Sequence, residues 1–194
     1  MKKLITGVTL AGAVAAVVAI PAFADTKANP WTQTIQVTAD PVITLSSSSS
    51  DTVSTSANPA AGGFGTIAVP ITVSSNSENG YKLTLSMVAG DSQSGALYDS
   101  TATVPDVISG GSGTLVPNQW GYTVVLGSVN TAATAGSTYA KVPQSSAPAT
   151  LLNVTAEGST DLFVNYGVVV DYTLPSGVTY ANQVTYTASI NPAP

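Results

Sequence analysis

The 194-residue sequence predicts an all-β fold, an antiparallel β-sandwich of about nine or ten strands after a cleaved signal peptide. Three observations carry that expectation. Stretch after stretch alternates apolar and polar residues with period two, the mark of strands with one buried and one wet face. Turn residues separate these stretches, and Thr, Val and Tyr dominate them. No window after the N-terminal leader has the spacing of an amphipathic helix.

The leader comes first. Lys2 and Lys3 precede an apolar run from Leu4 to Ile20, and "PAFA" places Ala22 and Ala24 at the small positions of a signal-peptidase site. The run has 17 residues and includes Thr6, Gly7, Thr9 and Gly12. A spanning helix wants about 20 mostly apolar residues. The expectation is therefore cleavage after Ala24 (1–24 signal peptide) and a single β-sandwich domain over 25–194. A domain of that size buries roughly 70% of its unfolded surface, so it needs no staples.

The strands follow in order. In "WTQTIQVTADPVITL" (31–45), Trp31, Ile35, Val37, Ala39, Ile43 and Leu45 share one parity, and Pro41 divides the run or places it at an edge. A Ser-rich segment, 46–63, reads as a long surface loop or as an O-glycosylated stalk. "TIAVPITVSS" (66–75) and "YKLTLSM" (81–87) alternate cleanly around "ENG", whose Asn-Gly suits a tight turn, so they predict a hairpin. The pattern is irregular over 88–118. "WGYTVVLGS" (120–128) and "LLNVTA" (151–156) resume it, with a short strand near Tyr139 between them. "DLFVNYGVVVDYTL" (161–174) has Leu162, Val164, Tyr166, Val168, Val170 and Tyr172 on one face. Phe163 and Val169 on the other face predict a central strand. After "PSG" the chain is expected to run back along it as "VTYANQVTYTASI" (178–190), with Tyr180, Val184, Tyr186, Ala188 and Ile190 inward. Together these elements indicate a sandwich of Ig-like or jelly-roll-like type.

The inventory of reactive groups is short. Cys, His and Arg are absent. Disulfides, His- or Cys-based zinc sites and the usual nucleophile–base pairs are thereby excluded. After cleavage three lysines face ten acidic residues, a side-chain charge of −7. Nucleic acid and anionic membrane surfaces are unsuited partners for that charge. Most carboxylates sit in turn-like sequence, where Asp bonds to local backbone. Asp161 and Asp171 flank the long strand; ten residues of extended chain put them about 33 Å apart, too far for a glycosidase pair. "GDSQSGALYDS" (90–100) offers Asp91 and Asp99 as oxygen donors but lacks the spacing of a calcium loop, so a solvated loop is expected. Asn153-Val154-Thr155 is an acceptor sequon. The expectation is a protein that is not an enzyme and needs no cofactor.

A resemblance adds to this reading. "LPSGVTYANQVTYTASI" (174–190), with Gly177, Tyr180 and Val184 as its clearest positions, resembles the C-terminal hairpin of secreted bacterial surface sandwiches of fimbrial-subunit or adhesin-like type. "TIQVTADPVITL" (34–45) is similar to the opening strand of some cysteine-free pilus subunits. "NGYKLTLSM" (79–87) and "NQWGYTVVL" (118–126) resemble strands of Gram-positive-type surface domains. The resemblance implies a non-enzymatic structural or adhesive protein, secreted or at the cell surface. Its partners would be other surface proteins, further copies of itself, or host or cell-wall glycans. With no hydrophobic tail, sorting motif or lipobox Cys read in the sequence, attachment is expected to be noncovalent. Two sites follow as candidates. Trp31, Ile35, Val37, Ile43 and Leu45 would form a strand donated to a neighbour, or an edge strand of their own sheet. Trp31, Trp120 and Tyr139 would stack on a glycan if the chain is a carbohydrate-binding module, or pack in the core like most large aromatics.

Overall fold

The computed structural model describes residues 40–50, 52–89, 95–99 and 107–194, all within the compact unit Ala39–Pro194. The leader and the run containing Trp31, Ile35 and Val37 lie outside the described residues.

Among the described residues nine strands form two sheets. They are β1 (Ile43–Ser46), β2 (Phe64–Ser75), β3 (Tyr81–Met87), β4 (Leu97–Tyr98), β5 (Val107–Gly110), β6 (Gln119–Leu126), β7 (Ala149–Val154), β8 (Gly158–Val169) and β9 (Val184–Ile190). One sheet has the order β1-β2-β8-β6-β5-β4, the other β7-β3-β9. The single helical element among the described residues is a 3-10 turn at Pro59–Ala61. It is capped by the Asn58 side chain and closed by Gly62 in the left-handed region.

The sheets meet face to face. Period-two alternation aims Val69, Ile71 and Val73 of β2, Trp120 and Tyr122 of β6, and Leu162, Val164, Tyr166 and Val168 of β8 at Tyr81, Leu83, Leu85 and Met87 of β3. β8 is central, paired with β2 over twelve residues and with β6 over eight. Its outer face is partly covered as well. Tyr139, Leu115 and Ala133 build a second small core against Phe64 and Val169. Gly167 makes room for it, since a Cβ there would sit 2.5 Å from the Tyr139 ring.

Three expectations are corrected. The runs 66–75 and 81–87 are not a hairpin: β2 pairs with β1 and β8, whereas β3 pairs with β7 and β9. Residues 76–80 carry the chain from one sheet to the other, with Gly80 at φ 74° closing a bond from its N–H to the Ser77 carbonyl. β8 and β9 are likewise in different sheets, so the C-terminal stretch is not a hairpin either. Finally, pairing is not antiparallel throughout, because β5 runs parallel to β6. The cause of the first two is one and the same. In each pair both strands turn residues of one parity inward, odd in β2 and β3 and even in β8 and β9, and facing across a core satisfies that pattern as well as lying side by side.

Candidate functional site

The candidate site is built where the smaller sheet ends. Residues directly opposite one another in a ladder share a face. Leu45 of β1 lies opposite Val73 of β2, so both point to the interior. Yet Val73 is 0% exposed and Leu45 is 41% exposed. The same contrast holds on the other sheet. Leu83 and Leu85 of β3 are fully buried, while their partners Ala188 and Tyr186 of β9 are only half-buried. Among the described residues the three-stranded sheet ends at β9, which approaches β1 but covers its inner face only in part. The result is an open, apolar cleft lined by Leu45, Ser46, Ser47, Val69, Ile71 and Tyr186.

Local chemistry fixes both rims. β1 is held at its start by Asn76, whose Oδ1 accepts from Val42 N–H at 2.6 Å and whose Nδ2 donates to the Asp40 carbonyl at 3.3 Å. The Ser75 hydroxyl donates to the Val42 carbonyl at 2.9 Å. β1 stops at Ser46, two positions short of Pro70. A proline cannot donate to a ladder, and the Ser47 hydroxyl takes the Pro70 carbonyl instead, at 2.6 Å. On the opposite rim β9 is fastened to β3 along its inner edge and by Asn191 just beyond it. The Asn191 Nδ2 donates to the carbonyls of Asn79 and Val154 and to Asn153 Oδ1, at 2.8–3.1 Å. Tyr186 on this rim shares a 2.5 Å hydroxyl–hydroxyl bond with Tyr166, which in turn stacks on Trp120 with ring centres 5.9 Å apart. Burial pushes the Tyr186 hydroxyl up to about 12 and the Tyr166 hydroxyl further still, so both stay protonated at physiological pH.

The sequence candidates fall into three groups. Ile43 and Leu45 form edge strand β1 of the larger sheet, paired within their own chain. Trp31, Ile35 and Val37 lie outside the described residues. Trp120 and Tyr139 are 4% and 2% exposed and offer no ring face to a sugar. Trp120 is held in place by its Nε1–H, which donates to the Gly95 carbonyl at 2.8 Å. Tyr139 is fixed by its hydroxyl on the Thr134 carbonyl at 3.0 Å. Both are therefore corrected from candidate stacking residues to packed ones. Tyr172 was expected on the buried face of the long strand, but β8 ends at Val169 and Tyr172 is 77% exposed. Asp161 accepts from the Thr72 hydroxyl at 2.7 Å, and Asp171 is engaged by Asn118 and Thr173. No cluster of three or more potential metal ligands occurs among the described residues.

No family model matches this sequence, and no curated protein matches it. Among solved structures the chain is similar to the crystal structure of the CsuC–CsuE chaperone–tip adhesion subunit pre-assembly complex from archaic chaperone-usher Csu pili of Acinetobacter baumannii. Identity is 15% and the TM-score 0.37, over 76% of this chain and 39% of that one. The chain thus spans well under half the length of that neighbour, and a likeness at this level assigns no function.

Proposed function

We propose that the protein is a non-enzymatic secreted or cell-surface subunit of structural, adhesin-like type that joins other copies through the cleft between β1 and β9. The observation that supports this reading is the mismatch between the two sheets: inward-facing Leu45 is left 41% exposed beside the free edge of β9. An exposed sheet edge next to an apolar slot is the requirement for strand addition. Backbone groups supply the bonds and alternate side chains fill the slot.

The reading commits to one edge and one occupant. Pro70 takes a donor out of the β2 edge next to the cleft, so an incoming segment pairs with β9. The occupant is the segment 31–37 of a second copy, whose Trp31, Ile35 and Val37 alternate as such a slot requires. Because Asn76 and Ser75 hold the chain from Asp40 onward, donation falls to residues before Asp40. Non-enzymatic action fits a chain without His or Cys.

Light scattering on residues 25–194, on 40–194, and on 25–194 carrying Leu45→Glu tests the proposal. The full chain is expected to oligomerise. The shortened chain is expected to stay a folded monomer that binds a synthetic 25–39 peptide. Leu45→Glu should keep the fold and abolish assembly. A monomeric full chain whose shortened form unfolds would place 25–39 in its own sandwich and overturn the reading.

A further inference from the structure

We propose that β1 and the Ser-rich loop behind it form a mechanical clasp. When the chain is pulled by its two ends, β1 peels away first and releases stored length while the core of the sandwich stays closed. This device is separate from strand assembly and does not depend on it.

The first observation is where load enters. The start of β1 and the end of β9 both meet the crossover 76–80. The Asp40 carbonyl accepts from Asn76 Nδ2 and the Val42 carbonyl from Asn76 N–H, each at 3.3 Å. At the exit, Asn191 N–H donates to the Gly80 carbonyl and Asn191 Nδ2 to the Asn79 carbonyl, each at 3.1 Å. Entry and exit thus lie at the same end of the strands, and tension between them acts across the strands rather than along them. Antiparallel ladder bonds run perpendicular to the strands. Loaded in that direction they break one after another, from Ile43 in β1 or from Ile190 in β9.

The second observation is which strand yields. β1 is paired with β2 over four residues, and β9 with β3 over seven. β9 packs Val184, Tyr186 and Ala188 against the core, and Tyr186 is bonded to Tyr166 of the other sheet. β1 packs Ile43 there, whereas its Leu45 is 41% exposed. Fewer ladder bonds and less buried apolar surface make β1 the weaker strand.

The third observation is what remains. The fully buried apolar residues of the main core begin at Val69, so none of them leaves with β1. β2 stays paired with β8 over twelve residues, and peeling stops where β2 begins, at Phe64. The freed segment is 40–63. Its Ser-rich part lies on the surface, fastened at its start by the Ser47 hydroxyl on the Pro70 carbonyl. Extended, residues 40–63 measure about 80 Å. Because the core is intact, β1 finds its place on β2 again when the load falls.

Optical-trap pulling of the exported chain (25–194), through handles coupled enzymatically at both ends, tests the clasp. Two steps are expected. The first, at the lower force, should release about 80 Å of chain and reverse on relaxation; the second opens the core. Peeling of β9 instead would release a similar length, so a cross-link separates the two cases. Thr44 and Ser74 stand directly opposite each other in the β1–β2 ladder, a spacing a disulfide can bridge, and the chain has no cysteine of its own. The oxidised Thr44→Cys/Ser74→Cys variant should lose the first step, and its reduced form should show both steps. Asn76→Ala should lower the force of the first step and leave the second unchanged. Opening of wild type in one step, or a first step that survives the oxidised cross-link, overturns the proposal.

Discussion

Replacing Tyr186 with Phe removes one hydroxyl and leaves its partner stranded. Tyr166 is 9% exposed, and its hydroxyl meets Tyr186 across the two sheets at 2.5 Å. A buried polar group deprived of its partner costs about 1–3 kcal/mol. Tyr186→Phe should fall near the middle of that range, at about 2 kcal/mol. Tyr166→Phe should cost less, at about 1 kcal/mol, because Tyr186 is only half-buried and its stranded hydroxyl is less completely cut off from water. The double Phe variant loses both polar groups and keeps both rings, so it should lie within about 0.5 kcal/mol of wild type. Urea titrations of the four proteins close the cycle. The expected coupling is about 2.5–3.5 kcal/mol, and Tyr186→Phe alone should lower Tm by about 4–8 °C. A double variant as unstable as the two single losses added together would show that the hydroxyl pair contributes no coupled energy.

The same pair governs alkaline stability. Tyr186 is raised to about 12 and Tyr166 is raised further, so stability is complete below about pH 10, where the unfolded tyrosines are still neutral. It should fall as pH rises through about 12, by up to about 1.4 kcal/mol per pH unit for each group; urea midpoints against pH measure this, and the double Phe variant should decline less steeply. Asn191→Ala unfastens β9 from Asn79, Asn153 and Val154 and should cost about 1–3 kcal/mol in the same assay. Gly80→Ala should cost more than about 2 kcal/mol, since its φ is 74° and an added Cβ would meet the Val154 carbonyl oxygen at 1.9 Å. Gly177→Ala has a similar φ of 78° and open space around it, so it should cost only about 1 kcal/mol in urea melts.

What the sequence discloses about this molecule is faces, and what it withholds is neighbours. The alternation of Ile67, Val69, Ile71 and Val73, and that of Tyr81, Leu83 and Leu85, places each strand and its buried side correctly. It does not say whether the second lies beside the first or across from it. Asn79-Gly80 signals a positive φ, and Gly80 adopts one, but the turn spans two sheets. Burial of Tyr139 depends on Gly167, Leu115 and Ala133, so its own surroundings in sequence carry no signal of it. Tyr172 continues the parity of Val168 and Val170, and only the end of β8 at Val169 turns it outward. The cleft is likewise a property of strand count. Leu45 reads as a core residue because its parity is that of one, and it is exposed because the facing sheet has no fourth strand among the described residues.

The ladder between β3 and β9 has a temporal consequence. Thr84 and Thr187 are 103 positions apart, and Thr66 and Tyr166, which join β2 to β8, are 100 apart. Contacts of such long range form slowly, because each must first close a large loop of disordered chain. A ribosome that has made β2 and β3 has made two strands with no partners yet for most of their edges. The sandwich stays open until synthesis passes Ile190, and until then the chain remains threadable. Anything that acts on the unfinished chain therefore meets it before its two sheets have closed.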